Sequence, residues 1–151
     1  MNVLISGDIH IDDYADFNFS HRSRLKQFDK LASRLVEIGK QYDCKEHWIL
    51  GDIINRPSSR KYIEHTAKRF LKVQSDNFTT VRYILGQHDL ESKSQELDTD
   101  DTLITMFDFD NFEYMDRKLL SIDNHYFGFM NWRPEQDLDW LEDTHLDVLF
   151  G

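Results

Sequence analysis

The sequence predicts an α/β domain in which buried strands alternate with amphipathic helices. Three short apolar runs have the composition of buried strands, and they occupy residues 2–6, 47–50 and 81–85. Segments with apolar residues three and four positions apart separate these runs, and this alternation favours parallel strands joined by helical crossovers. A glycine directly follows each run, and the three glycines are Gly7, Gly51 and Gly86.

Both predicted helices have a single apolar face. In the first helix that face consists of Leu25, Phe28, Leu31, Leu35 and Ile38, and Gly39 lies near the helix end. In the second helix the pattern runs through Tyr62, Ile63, Thr66, Ala67, Phe70 and Leu71. Such spacing is typical of a helix that buries one side.

The middle of the sequence predicts shorter elements. A polar stretch at 91–101 precedes a short helix candidate at 102–107. Strand-like segments follow near 112–115, 118–122 and 125–130. Asp123 and Asn124 separate the last two segments and are typical of a tight hairpin turn.

The end of the sequence predicts one more helix and one more strand. Pro134 is expected to begin the helix, in which Leu138 and Leu141 would be buried. The strand covers residues 146–150 and ends at Gly151, so it too is followed by a glycine. In open parallel sheets ligands bind beyond the carboxyl ends of the strands, so we expect the residues after these glycines to converge.

Length and composition are those of one globular domain. The chain has 151 residues, of which 40% are hydrophobic and 30% are charged. The single cysteine, Cys44, excludes an internal disulfide and fits a reducing compartment. The sequence contains neither a signal-peptide pattern nor an apolar stretch long enough to span a membrane. We therefore expect a cytoplasmic protein, in the host cytoplasm if it is viral, that has no membrane partner.

The net charge of −10 is distributed unevenly. Residues 1–88 contain 14 Lys and Arg against 11 Asp and Glu, whereas residues 89–151 contain 4 against 17. Nucleic acids are bound through Lys and Arg, so the acidic second part argues against direct contact with a polyanion. Almost all of the candidate metal-binding side chains lie in the neutral-to-basic part, residues 1–88.

Metal-binding side chains follow the first three glycines. They are Asp8 and His10, then Asp52, then Gln87, His88 and Asp89. Asp8 and His10, two residues apart in an extended segment, are expected to point to the same side. The Asp52 carboxylate can bridge two ions, and the Gln87 amide oxygen suits the second of them. Mixed oxygen and imidazole ligands favour manganese, iron or zinc over calcium.

Two metal ions at this edge predict phosphate ester hydrolysis. Ions about 3.5 to 4 Å apart polarise the ester oxygens, neutralise charge in the transition state and lower the pKa of a bridging water. The leaving oxygen needs a proton, and His88 is the candidate general acid. Arg56 can pair with a phosphate oxygen.

The order of the three motifs resembles the signature of the calcineurin-like metallophosphoesterases. The motifs are Gly7-Asp8-Ile9-His10, Gly51-Asp52 and Gly86-Gln87-His88-Asp89. The segment Gly-Asp-Ile-Ile-Asn-Arg-Pro looks most like SbcD-type DNA repair exonucleases and their bacteriophage recombination-nuclease counterparts. The resemblance implies an α/β sandwich of two sheets flanked by helices.

The resemblance also implies roles for individual residues. It assigns Asp8, His10, Asp52 and Gln87 to two divalent ions, most readily Mn²⁺, with Mg²⁺, Fe²⁺ or Zn²⁺ as alternatives. It makes His88 and Asp89 catalytic, and it places Asn55 and Arg56 beside the substrate. Gln87 replaces the family's Asn, and Asn55 stands where many relatives have Asp or His. The later Gly-His motifs are absent, so we expect residues 1–151 to form one metallophosphoesterase domain without its C-terminal part.

The resemblance implies a nuclease subunit of a DNA repair or recombination complex. Its partners would be DNA, a second copy of the chain in a homodimer, and an SMC-like ATPase subunit of the SbcC type. Two alternatives stay open. The chain could be a catalytically impaired relative that binds or inhibits a partner, which the acidic second part suits. It could also be a small-molecule phosphodiesterase, with the same chemistry and another substrate.

Overall fold

The computed structural model describes residues 1–13, 24–56, 61–90, 108–133, 137–142 and 144–151. Two helices and seven strands lie in these ranges. In chain order they are β1 (Val3–Ser6), α1 (Leu25–Gln41), β2 (Glu46–Leu50), α2 (Lys61–Asn77), β3 (Thr80–Ile84), β4 (Phe112–Tyr114), β5 (Lys118–Ile122), β6 (His125–Phe129) and β7 (Val148–Phe150). Short 3₁₀ turns cover Gln87–Asp89 and Asp139–Leu141. Neither described helix is both long enough and apolar enough to cross a bilayer.

The strands form two sheets. The first has the order β1-β2-β3-β4, and all of its neighbouring strands are parallel. The second has the order β5-β6-β7, with β5 antiparallel and β7 parallel to β6. The α/β fold of two sheets and helices is therefore confirmed. Because β1, β2 and β3 run parallel, their carboxyl ends lie at one edge of the first sheet.

Helix α1 forms where its apolar spacing predicts it, but its buried face is rotated from the predicted one. The buried residues are Leu25, Phe28, Ala32, Val36 and Gly39. Leu31 remains 37% exposed, so its predicted burial is wrong. Ala32 is 0% exposed because a small side chain suits the place where the helix packs most closely. Leu35 and Ile38 are partly buried at the margin of this face.

Helix α2 buries the face that its sequence predicts. Its buried residues are Ile63, Thr66, Ala67, Phe70, Leu71 and Gln74. Tyr62 is the exception, because it is 37% exposed and its hydroxyl donates to Asp13. Both helices contribute to one hydrophobic cluster with the first sheet. The helices therefore cover one face of this sheet and leave its carboxyl edge for the site.

A second hydrophobic cluster joins the two sheets. Trp48 of β2 lies at its centre and meets three phenylalanine rings edge-on. These are Phe127, Phe129 and Phe150, at centroid distances of 5.4, 5.1 and 5.8 Å. Edge-to-face aromatic packing of this kind adds to the burial of apolar area. Phe127 and Phe129 thus belong to the core between the two sheets.

The predicted hairpin is confirmed between β5 and β6. Ile122 pairs with His125, so the loop contains only Asp123 and Asn124. Their φ angles are 51° and 64°, the left-handed values that two-residue hairpin turns require.

The helix predicted after Pro134 is not found in the described residues. Pro134, the polar stretch at 91–101 and the helix candidate at 102–107 lie outside them. The chain makes a single 3₁₀ turn at Asp139–Leu141, and Leu138 is 47% exposed. The Leu141 amide donates to the Leu138 carbonyl at 2.8 Å, which shows why two leucines three apart were misleading. That spacing fits one isolated turn as well as it fits a helix.

A buried histidine in β2 makes folding stability depend on pH. His47 is 0% exposed, and its Nε2 lies 2.8 Å from the Ser6 hydroxyl. Burial lowers the pKa of His47 from 6.5 to about 4, and the nearby Gln74 side chain offsets this only in part. The neutral imidazole therefore suits the folded state, and the charged one does not.

We expect His47 to destabilise the folded chain as the pH falls from 6.5 to about 4. Its folded pKa lies below its unfolded pKa, so its contribution is intact above pH 6.5 and is lost on acidification. The full loss amounts to ~3 kcal/mol. Urea unfolding of the wild type and of His47→Gln at several pH values isolates this contribution. A difference between the two chains that does not change with pH would contradict the prediction.

Candidate metal centre

The segments after β1 and β2 run side by side past the edge of the sheet. The Asp8 amide donates to the Gly51 carbonyl at 3.3 Å, and the His10 amide donates to the Asp52 carbonyl at 2.8 Å. Ile11 continues this pairing, since its amide donates to the Ile53 carbonyl at 2.9 Å. Backbone hydrogen bonds thus hold Asp8 and His10 next to Asp52.

Three of the predicted ligands have left-handed backbones. The φ angles of Asp8, His10 and Asp52 are 52°, 49° and 50°. The segment that carries Asp8 and His10 is therefore not extended, and the reason predicted for their common direction is wrong. Their side chains nevertheless meet, because His10 Nε2 lies 3.6 Å from Asp8 Oδ1. Left-handed values cost free energy in residues other than glycine, and Asp and His tolerate them better than most.

His10, Asp52 and His88 offer ligand atoms within 4.8 Å of one another. His10 Nε2 lies 3.7 Å from Asp52 Oδ2, and the two imidazole rings meet edge-on at 4.8 Å. Asp8 completes the group from the solvent side, where its side chain is 85% exposed. Two imidazoles and two carboxylates form a donor set that suits Mn²⁺, Fe²⁺ or Zn²⁺. The residues present therefore fit a divalent metal ion.

His88 is oriented by two hydrogen bonds. Its backbone amide donates to Asp52 Oδ1 at 2.8 Å, and its Nδ1 lies 2.9 Å from the Asn55 carbonyl oxygen. Since a carbonyl oxygen only accepts, Nδ1 must carry the hydrogen of this bond. Nε2 is then the atom that His88 offers to a metal ion or a substrate. The two Asp52 oxygens divide their contacts, with Oδ1 on His88 and Oδ2 facing His10.

Asp89 lies beneath the cluster and is 0% exposed. Its Oδ1 accepts the Ile54 amide at 3.0 Å, and its Oδ2 accepts the Gly86 amide at 3.0 Å. Burial raises the pKa of Asp89 to about 7, and these amide hydrogen bonds limit the rise. The carboxylate therefore joins the loop after β2 to the loop after β3. Its predicted catalytic role stays a prediction, and its observed contacts are those of a positioning group.

Asn55 and Arg56, the predicted substrate-binding residues, both lie beside Asp12. The Asn55 amide group donates to Asp12 Oδ2 at 2.7 Å. Arg56 Nε lies 3.9 Å from the same oxygen, and its side chain is 75% exposed. Asp12 is buried to 7% exposure, and sequence reasoning missed it. The signal that could have identified it is a carboxylate two residues after His10, within the same polar segment.

Gln87 begins the 3₁₀ turn that also carries His88 and Asp89, and it is half-buried. It lies directly before His88, the position in which the family's motif has its asparagine ligand. That role stays a prediction.

Glycine is required at the end of β3 because the neighbouring loop comes very close. A Cβ atom on Gly86 would lie 2.2 Å from Asp52 Oδ1 and 2.5 Å from the Asp52 amide nitrogen. A Cβ atom on Gly51, which has a φ of 78°, would lie 2.6 Å from the Gly86 nitrogen. Such short contacts cannot exist. The two loops can approach this closely, with Asp52 next to the His88 turn, only because Gly51 and Gly86 have no side chains.

Gly86→Ala is expected to displace Asp52 and weaken metal binding. The overpacking should cost ~1–3 kcal/mol of folding free energy. Movement of the Asp52 carboxylate should lower the affinity for Mn²⁺ by ~10-fold or more. Thermal unfolding and calorimetric titration with Mn²⁺ measure the two effects. Gly7→Ala is the matched control, because its Cβ would lie 3.2 Å from the Leu50 carbonyl oxygen, and equal effects in both variants would contradict this account.

Comparison with known proteins agrees with this geometry. The calcineurin-like phosphoesterase family matches residues 1–151 of the chain. Among solved structures, the nuclease MPE of Pseudomonas putida is similar, with a TM-score of 0.52 and 18% sequence identity over 97% of this chain. The chain spans 58% of the length of that nuclease. No curated protein matches the sequence. The match of the whole chain to the family, together with His10, Asp52 and His88 at one sheet edge, shows that it belongs to the calcineurin-like phosphoesterases.

Proposed function

We propose that this chain is the metal-dependent phosphodiesterase domain of a DNA nuclease. Calcineurin-like phosphoesterases use divalent metal ions, and the residues that would hold them here converge. The observation that carries the proposal is the group formed by His10, Asp52 and His88, whose ligand atoms lie within 4.8 Å of one another. Asp8, 3.6 Å from His10, and Gln87, in the His88 turn, extend this group toward a second ion.

In this proposal the residues divide the work of hydrolysis. Asp8, His10, Asp52 and Gln87 would hold two divalent ions, which supply an activated water and neutralise charge on the phosphate. In its imidazolium form, which has a hydrogen on each ring nitrogen, His88 donates the Nε2 hydrogen to the leaving oxygen while its Nδ1–H stays bonded to the Asn55 carbonyl. The same hydrogen bond keeps the ring in position. Arg56, exposed beside the site, pairs with a phosphate oxygen.

Two features support DNA as the substrate. The first is the similarity of the fold to that of a nuclease. The second is the charge distribution, because residues 1–88 contain 14 Lys and Arg against 11 Asp and Glu and include all the proposed metal ligands. The acidic remainder is unsuited to a polyanion. We propose that a homodimer and an SMC-like ATPase of the SbcC type supply further DNA contacts in a cytoplasmic repair or recombination complex.

The experiment that tests this function compares three substrates in the presence of Mn²⁺. Bis-p-nitrophenyl phosphate and linear double-stranded DNA should be hydrolysed, whereas p-nitrophenyl phosphate, a monoester, should react more slowly. EDTA should abolish the reaction, and Asp52→Asn and His88→Ala should each remove most of it. Absence of Mn²⁺ binding together with equal rates in all three chains would refute the proposal. That outcome would favour the alternative of an inactive binding or inhibitory relative.

Two further readouts refine the assignment. Hydrolysis of the chromogenic diester without cleavage of DNA would favour a small-molecule phosphodiesterase. The affinity of His88→Ala for Mn²⁺ separates the two roles that this histidine can take. If His88 is the proton donor, His88→Ala keeps its affinity for Mn²⁺ and loses its rate. A loss of affinity would make it a ligand instead.

A further inference from the structure

The backbone of Leu85, the residue directly before Gly86, is held by the chain that follows β6. The Leu85 amide donates to the side-chain Oδ1 of Asn131 at 2.8 Å. The Leu85 carbonyl accepts the Trp132 amide at 3.0 Å. Both polar groups of Leu85 are thus bound to two consecutive residues, one through a side chain and one through the backbone.

The Asn131 side chain takes the place of a strand. β3 pairs with β4 up to Tyr114, and the Met115 amide makes a last bond to the Tyr83 carbonyl at 2.9 Å. The chain then turns into β5, and the Met115 carbonyl accepts the Lys118 amide at 3.2 Å. The carbonyl oxygen of Met115 is therefore occupied in the turn. A buried amide needs a partner, and Asn131 supplies it to Leu85.

Asn131 is itself fixed on every side. It is 0% exposed, its backbone amide donates to Asp116 Oδ1 at 2.9 Å, and its side-chain nitrogen donates to the Tyr114 hydroxyl. Arg133 donates two hydrogen bonds to the Asp116 carboxylate, at 2.9 and 2.6 Å. Charge-assisted pairs of this bidentate kind are strong and directional. The Asn131 oxygen is consequently a rigid acceptor on the segment that follows β6.

We propose that Asn131 is a positioning residue for the metal centre, because it fixes the point from which the Gly86–Asp89 turn begins. His88 lies three residues beyond Leu85, and Asp89 returns to accept the Gly86 amide. Ligand groups must be held to within about 0.5 Å, so a shift of Leu85 displaces Gln87, a proposed ligand, and the His88 amide that holds Asp52 Oδ1. The inference rests on the proposed function. It connects the segment after β6, through Asn131 and Leu85, to the geometry of the metal site.

The chain contains a matched control at the opposite end of β3. Asn111 donates from its side chain to the Ser75 and Phe78 carbonyls at 3.0 and 2.8 Å. Its own carbonyl accepts the Val81 amide at 2.9 Å. It is therefore an asparagine whose side chain holds the end of α2 beside the start of β3, far along the strand from the ligands. Its loss should affect stability without affecting the metal centre.

The test measures Mn²⁺ affinity by calorimetry for three variants, at a temperature where circular dichroism shows each to be folded. Asn131→Ala should bind Mn²⁺ ~10-fold or more weakly than the wild type. Tyr114→Phe, which keeps the Leu85 acceptor but loses one support of Asn131, should show a smaller loss. Asn111→Ala should bind like the wild type. Amide exchange at Leu85 should accelerate in Asn131→Ala alone.

Nitrogen NMR of the His88 ring provides a readout that needs no metal. In Asn131→Ala the His88 ring signals should shift, because the ring loses its alignment with the Asn55 carbonyl. Unchanged Mn²⁺ affinity and ring signals in Asn131→Ala, or equal losses in Asn111→Ala, would overturn the inference. If the wild type binds no Mn²⁺, the proposed function fails, and the ring signals alone decide the role of Asn131. If Asn131→Ala does not fold, Tyr114→Phe decides by the same two readouts.

Discussion

Asp52→Asn is expected to lower the affinity for Mn²⁺ by ~100-fold or more and to remove most of the hydrolytic activity. The replacement keeps the shape of the side chain, and its amide oxygen can still accept the His88 amide that Asp52 Oδ1 accepts at 2.8 Å. What it removes is the negative charge between His10 and His88. Calorimetric titration with Mn²⁺ and hydrolysis of bis-p-nitrophenyl phosphate measure the two losses.

Asp123→Asn is the matched control for this experiment. Asp123 has a φ of 51°, almost the 50° of Asp52, so both substitutions act on the same backbone conformation. Asp123 lies in the β5–β6 hairpin and pairs with the chain's amino terminus at 3.1 Å. We expect it to leave Mn²⁺ binding unchanged. Equal affinity in Asp52→Asn and Asp123→Asn would show that Asp52 is not a ligand.

Asp89→Ala is expected to reduce the free energy of unfolding by about 3 kcal/mol, since each buried donor left without a partner costs ~1–3 kcal/mol. The two donors are the backbone amides of Ile54 and Gly86. For a chain of this size the change lowers the melting temperature by roughly 10 °C. Urea and thermal unfolding at neutral pH measure it. Asp89→Asn keeps the volume and one acceptor, so it should fall between the wild type and Asp89→Ala.

Asp29→Ala provides the comparison for a carboxylate of another kind. Asp29 pairs with Arg69 at 3.2 Å, and its side chain is 45% exposed. An exposed pair contributes under ~1 kcal/mol, so this variant should stay close to the wild type. If Asp89→Ala unfolds as late as Asp29→Ala, the two loops are held together by other contacts than those of Asp89.

The first three strands and the meeting of His10, Asp52 and His88 could be predicted because their signals are local. Each of the first three strands is a short apolar run, and its end is marked by a glycine with a charged or imidazole side chain one or two residues later. The hairpin was equally accessible, since Asp123 and Asn124 tolerate the left-handed backbone that it needs. Parallel topology then implied that Asp8, Asp52 and His88 share one edge. These conclusions required no knowledge of distant contacts.

The rest of the fold depends on contacts between distant residues. Hydrophobicity alone predicts that Leu31 lies on the buried face of α1. Close packing against α2 buries Ala32 instead, and the Ala32 carbonyl accepts a hydrogen bond from the Gln74 side chain at 3.3 Å. Asp89 and Asn131 hold backbone amides that are 35 and 46 residues away. Because almost every residue has a backbone amide, the sequence does not show which amide a given side chain will bind. Positioning groups of this kind become visible only when the chain is folded.

At Asp8, His10 and Asp52 the side chains that the proposed metal centre needs have left-handed backbones, which lower the stability of the fold. Glycine would relieve the conformational cost at each of these positions, and asparagine would lessen it. A library of variants selected only for resistance to heat should therefore accumulate Gly or Asn at these proposed metal-binding positions. Engineering guided by stability alone would therefore erase the proposed centre while it improved the fold.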